Sequence, residues 1–182
     1  MAQPAGLPPT ALPVIAQPTV PPPTVQMVAP PPTIPPATRL AEAAGVSAET
    51  ARFVKDFLTG AVAAEILAYT YNDASYAAQF MAGNRMRDVE TDIAYLKSQG
   101  VLRAIAIDTD RSYIANIRVI HDAQIEVDTC EVWSATYYHW LDGATVGADP
   151  PEMLPQTITI EHLSAGWFIT RIAFHDPPSF CE

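Results

Sequence analysis

Lysine and arginine are scarce in this chain: 10 of 182 residues, against 20 aspartates and glutamates, for a formal net charge of −10. The few cations are not gathered either, since Arg85 and Arg87, the nearest thing to a cluster, are followed at once by Asp88 and Glu90. Phosphate backbones and anionic lipid surfaces repel such a chain, which excludes nucleic acid as a partner. Cysteine is rarer still, and Cys130 and Cys181 are too few for a disulfide scaffold or a four-thiolate zinc site. The four histidines, His121, His139, His162 and His175, show neither HxH nor HExxH spacing, so no metal is expected. GxGxxG, P-loop and GxSxG patterns are absent, which leaves no motif for a nucleotide cofactor or a hydrolase serine. No internal repeat is visible, and long apolar runs are missing. The best apolar run, Phe57 to Ala64, is closed by Asp56 and Glu65, well short of the roughly 20 residues a membrane span requires.

What is present is unevenly distributed. Residues 1–38 carry no charge, yet hold 13 of the 18 prolines. Runs such as Pro21-Pro22-Pro23 and Pro30-Pro31-Pro32 fix φ and remove backbone donors, so neither a helix nor a central strand is expected there. Residues 1–38 therefore read as a Pro/Thr-rich linker, disordered or in polyproline II, and residues 39–182 as one folded module. At about 3.1 Å per residue the linker would reach on the order of 100 Å. Pro18-Thr19-Val20-Pro21 has PxxP spacing, but no Arg or Lys accompanies it to set an orientation, so a spacer is the expected role. With no basic n-region and prolines in every apolar stretch, it is not a signal peptide. A spacer joins a module to something else, so an upstream anchor or partner domain is expected.

In the module, Ser47 with Glu49 marks a helix start, and Val54, Phe57, Leu58, Ala61 and Val62 carry it from about Ala48 to Ala68. Asn72-Asp73 is a break, and Tyr76, Phe80 and Met81 suggest a short second helix ending near Gly83. Met86, Val89, Ile93 and Leu96 predict a third helix, stopped by Gly100. Thereafter the period is two. Strands are expected at Val101–Asp108, Tyr113–Ile120, Gln124–Trp140, Gln156–Leu163 and Trp167–Phe174. Hairpin turns are expected at His121-Asp122-Ala123 and Ser164-Ala165-Gly166, and a polar, Pro-containing loop at Gly143–Pro155. Helices first and an antiparallel meander afterwards make the fold class α+β. A module of this size buries about two-thirds of its unfolded surface, so no metal is needed to hold it.

The text of the sequence adds a resemblance. Phe80-Met81-Ala82-Gly83 and Ile93-Ala94-Tyr95-Leu96-Lys97-Ser98-Gln99-Gly100 resemble the helical half of the IMS-domain branch of the NTF2-like superfamily, named for plastid-division proteins. Ala123-Gln124-Ile125-Glu126-Val127, Glu131-Val132-Trp133 and Gly166-Trp167-Phe168-Ile169 fit its strand pattern. The resemblance spans about Ala51 to Phe174 and implies an NTF2-like cone, with three N-terminal helices packed on a bent antiparallel sheet. It also implies a non-catalytic interaction module displayed beyond a linker. No co-chaperone-like region adjoins it, so division-specific partners do not carry over.

The superfamily also contains ketosteroid-isomerase-type enzymes, whose base is a carboxylate in an apolar pocket facing an oxyanion donor. The best constellation for such chemistry is Glu131, Tyr137 and His139, on one face of a strand with Trp133 between them. The competing assignment turns that face to solvent and packs Cys130, Val132 and Tyr138 inward, and it is the one expected here. His121-Asp122 and His175-Asp176 sit at strand ends with no nucleophile beside them. Trp133, Tyr137, His139 and Trp167 are the candidate ligand or partner surface, with most of the sheet's aromatics serving as core. Cys130 and Cys181 are a candidate disulfide if the compartment oxidises, provided their Cα atoms come within about 7 Å.

These readings converge on a non-catalytic scaffolding or subunit-association domain, with a protein partner or a second copy, no cofactor, and an extracytoplasmic, cell-envelope setting. The alternative is a small apolar ligand binder or ketosteroid-isomerase-like enzyme. That alternative calls for a pocket of at least about 300 Å³ containing a buried carboxylate or histidine.

Overall fold

The computed structural model describes residues 39–40, 46–176 and 180–181. The proposed linker, residues 1–38, lies outside the described residues.

The helices form where capping and periodicity place them. α1 spans Ala48–Tyr71, its N-terminus capped by Ser47 Oγ accepting the Thr50 N–H at 3.1 Å. It runs one turn further than expected because Asn72 takes the left-handed conformation (φ 51°) and caps the helix, while its side-chain amide donates to the Val101 carbonyl at 2.8 Å. The short second helix is a 3₁₀ turn, Ala74–Gln79, begun by Asp73 accepting the Ser75 N–H. α2 spans Gly83–Gln99 and stops at Gly100, whose φ of 67° suits glycine.

The sheet is organised around one long strand. β1 (Arg39–Leu40) pairs in parallel with β3 (Tyr113–His121). β4 (Gln124–His139) pairs along one edge first with β3 and then with β2 (Val101–Ile107), both antiparallel. At the handover between them, the Asp108 N–H donates to the Val132 carbonyl and the Val132 N–H donates to Ser112 Oγ, each at 2.9 Å. β4's other edge is covered by β5 (Thr145–Leu163), which in turn pairs with β6 (Gly166–Phe174). Register shifts at Trp133/Ala135, Tyr137/Tyr138 and Thr159/Ile160 mark bulges, which bend and twist the long strands into a curl around the helices.

The core lies inside that curl. Val54, Leu58, Ala61 and Tyr69 of α1 and Val89, Ile93 and Leu96 of α2 pack on Ile105, Ile117, Ile125, Val127, Ile158, Ile160 and Ile169 of the sheet. The α+β expectation of three helices on a bent antiparallel sheet is met, as are both hairpin turns.

One expectation is corrected. Gly143–Pro155 is not a loop for most of its length, because β5 starts at Thr145 and carries Pro150, Pro151 and Pro155 within it. The prolines are tolerated because β6 ends opposite Gln156, so among the described residues this half of β5 is an edge, where a missing N–H costs no ladder bond. Pro150 and Pro151 fall between Asp149 and Glu152, where the register with β4 slips.

Candidate functional site

The face of β4 that meets the helices is the one carrying Glu131. Ile125, Val127 and Trp133 share its side and contact the core, whereas Cys130 and Val132 point the other way and are not part of that cluster. The expected assignment of faces is therefore reversed. The reason is local: Cys130 and Val132 are buried on the outer face, at the strand handover and beneath Cys181, and so look like core residues in sequence. Cys181 is disulfide-bonded to Cys130, with their Cα atoms 5.6 Å apart, as the candidate pairing required.

Between sheet and helices lies a cavity of about 170 Å³. Val62, Leu154, Ile172 and Phe174 supply apolar lining, while Glu65, Arg85, Asp92, Arg103 and Glu131 supply charge. Glu131 is 8% exposed and accepts a 2.7 Å hydrogen bond from Trp133 Nε1. Burial pushes its carboxyl up from the ordinary value; the Trp133 bond opposes this, and the like charge of Glu65 adds to it. Glu65 is itself buried and ion-paired to Arg85. Desolvation works against the Arg85 charge, but Glu65 more than offsets it and raises the pKa. The Tyr69 phenol donates to Asp92 Oδ2 at 3.0 Å, and burial, with Glu65 and Asp92 nearby, pushes it above its ordinary range. The Arg103 guanidinium stacks 5.2 Å from the Tyr69 ring and 5.8 Å from that of Tyr137.

Of the sequence-derived candidates, only Glu131 and Trp133 reach this cavity. Tyr137 donates its hydroxyl to Asp149 at 2.6 Å, next to Arg103. His139 sits at the strand end, 3.3 Å from Asp142, so Glu131, Tyr137 and His139 do not converge. Trp167 packs on Phe53 at 5.5 Å and His162 at 5.1 Å, away from the cavity lining. His121 accepts the Ala123 N–H in its own hairpin turn, and His175 meets Thr157 Oγ1 at 2.8 Å. Among the described residues no group of three or more His, Cys, Asp or Glu is placed to hold a metal, and no helix is long and apolar enough to cross a membrane.

Sequence reasoning missed Glu65, Tyr69, Arg85, Asp92 and Arg103. The signal for most of them was spacing. Ala61, Glu65 and Tyr69 fall four apart on the buried face of α1, and Arg85, Val89, Asp92 and Leu96 recur at four, three and four along α2.

No protein-family profile matches the chain, and no curated protein matches its sequence. The likeness lies in the fold. The intermembrane-space region of the chloroplast protein ARC6 superposes with a TM-score of 0.59 at 13% identity, covering 68% of this chain and 94% of that one. An NTF2-like superfamily protein from Salmonella enterica subsp. enterica serovar Typhimurium str. LT2 gives a TM-score of 0.47 at 13% identity, over 70% of this chain and 94% of that one. Helices followed by a curled antiparallel sheet, matched to an IMS region over most of the module, make this an NTF2-like fold of the kind the sequence motifs resembled.

Proposed function

We propose that the module is a non-catalytic protein-interaction domain, working as a scaffold or accessory subunit outside the cytoplasm. The observation that carries this reading is an apolar end of the molecule. There Trp140 (42% exposed) and Leu141 (63% exposed) form the tip of the β4–β5 hairpin. The Trp140 N–H bonds the Gly100 carbonyl, and Asn72 bonds Val101 next to it, which brings the exposed Tyr71–Tyr76 ring pair to the same end. Exposed aromatic and aliphatic side chains gathered at one place are what a protein partner covers. The Cys130–Cys181 disulfide supports an oxidising compartment, since cytosolic thiols are kept reduced.

The test is to cross-link the full chain in its own cells and compare it with a Trp140→Ser, Leu141→Ser double variant. Loss of the cross-linked partner with an unchanged melting temperature is expected. Retention of that partner, or a turnover that depends on Glu131, would overturn the proposal.

A second reading, a small-ligand binder, is favoured by one observation: a carboxylate buried in a cavity with an apolar wall. At about 170 Å³ the cavity is below the roughly 300 Å³ of ordinary ligand pockets, so any occupant is small.

A further inference from the structure

Two arginines line the cavity with donors that nothing accepts. Arg103 stands on the inner face of β2, on the same side as the core residue Ile105. Its guanidinium stacks on the Tyr69 and Tyr137 rings, whose faces attract the charge but take no directed N–H bond in the guanidinium plane. Among the described residues Arg103 has neither a hydrogen bond nor an ion pair. Its Nε is sealed in protein without an acceptor, whereas its two amino groups are not sealed. Arg85, from α2, gives one amino group to Glu65, and its Nε too is buried without an acceptor. The Arg85 charge is felt at the Tyr69 phenol, on whose ring Arg103 stacks, so the two cations share one wall.

The neighbouring carboxylates are engaged elsewhere. Glu65 is paired with Arg85, Asp92 is exposed and accepts the Tyr69 hydroxyl, and Asp149 accepts that of Tyr137. Glu131 is hydrogen-bonded within its own sheet, by Trp133 at 2.7 Å and by Gln156. A guanidinium withdrawn from water with its bonds unmade is costly, so the site favours whatever brings acceptor atoms to it.

Size and walls choose that acceptor. A volume of about 170 Å³, at roughly 30 Å³ per water-sized group, holds about five or six non-hydrogen atoms. Val62, Leu154, Ile172 and Phe174 present hydrocarbon, which a phosphate or a halide would leave without a partner. A carboxylate is planar, places a single charge in a cavity that already holds Glu65 and Glu131, and meets a guanidinium edge with two parallel bonds.

We infer that the cavity binds a short-chain monocarboxylate, its oxygens on the Arg103 guanidinium with Arg85 beside it, and its alkyl tail of about three carbons against the aliphatic wall. This deepens the small-ligand reading and rests on it. A free short acid and the side chain of a partner's glutamate offer the same chemistry, and the glutamate would join the cavity to the interaction role.

The probes are butanoate, 1-butanol, n-butylammonium and inorganic phosphate, each titrated into the full chain at about pH 7 while the Arg103 Nε–H resonance is followed by NMR. Butanoate is expected to shift it saturably, and the other three to bind at least about tenfold more weakly, the loss of one charge-assisted bond. Arg103→Met keeps a stem beside the two tyrosines and removes the donors. Followed through the Trp133 indole N–H, it is expected to bind butanoate about tenfold or more weakly while melting no lower than the parent. Glu131→Gln removes a like charge and is expected to bind butanoate at least as tightly as the parent. Equal binding by 1-butanol or phosphate would leave a ligand cavity but overturn the carboxylate class, as would undiminished binding by the folded Arg103→Met chain or loss of binding in Glu131→Gln. Silence from all four probes would overturn the ligand-binding reading as well. Acetyl-Gly-Glu-Gly-amide separates the two sources: binding tighter than butanoate, lost with glutamine in place of its glutamate, supports the site and assigns the carboxylate to a partner's side chain. No binding of the peptide alongside binding of butanoate supports it equally and assigns the carboxylate to a free acid.

Discussion

Glu131→Gln also reports on how the fold carries its buried charge. In the folded chain the Glu131 pKa lies above its ordinary value of 4.5, chiefly because burial disfavours the ionised form. A group raised on folding contributes stability that is complete below its unfolded pKa and is lost as pH rises through its folded pKa. Asp73, Asp108, Asp128 and Asp142 are lowered instead, so their contribution disappears only as pH falls through values below the ordinary carboxylate range. The two effects occupy different windows, and above about pH 5 Glu131 is the group that acts. Glutamine keeps the shape and still presents an oxygen to Trp133 Nε1, whose bond to Glu131 measures 2.7 Å. The substitution should therefore be close to neutral at about pH 4.5 and stabilising at about pH 8, where the parent has to bury an ionised carboxylate and the variant does not. Urea denaturation of both chains across that range measures the difference directly. A difference that stays flat with pH, or a variant less stable than its parent at about pH 8, would refute the assignment of a buried, unpaired carboxylate.

Four further outcomes follow from other parts of the molecule. Cys130→Ser together with Cys181→Ser removes a bridge across 51 residues and should lower stability by up to about 4 kcal/mol in urea, the chain-entropy value for that loop. Gly60→Ala would place a Cβ 2.7 Å from the Phe80 ring, so a loss of about 1 to 3 kcal/mol is expected in the same assay. Trp167→Ala deletes a half-buried ring packed on Phe53 and His162, and its cost should fall short of the roughly 3 to 5 kcal/mol of a fully buried aromatic. A chain starting at Arg39 should melt at the same temperature as the whole, because residues 1–38 have no charge to pair and are broken by prolines. A large drop would show that they pack on the module.

The elements were legible where one physical signal dominated. Ser47, Asn72 and Gly100 mark helix ends because few residues suit those backbone positions, and the period-two stretches after Gly100 are unmistakably strands. The first half of β5 was not legible. Pro150, Pro151 and Pro155 signal a loop, and what lets them remain in a ladder is that β6, among the described residues, stops short of them on one side. Glu131 was singled out as the best acid, yet its direction was misread. Strand periodicity gives two faces without saying which is inside, and Cys130 and Val132 are as apolar as their opposites because a disulfide and the Ser112 handover cover them. Glu65 and Arg85 read as solvent-facing charges because each is costly to bury alone. Their pairing depends on two helices meeting, which no local pattern encodes.

The route of the chain at the edges of the sheet has a mechanical consequence. Arg39 lies beside Tyr113, Tyr113 lies beside Cys130, and Cys130 is bonded to Cys181. At about 4.8 Å per strand spacing and one disulfide, Arg39 and Cys181 lie within about 15 Å of each other. Tension between Arg39 and Cys181 therefore crosses the sheet through a narrow strip at the middle of β4 and leaves the helices and the cavity unloaded. With the disulfide closed, a pull between Arg39 and Cys181 leaves β5 and β6 unstretched. Once it is reduced, the same pull would peel β6 from β5 one residue pair at a time.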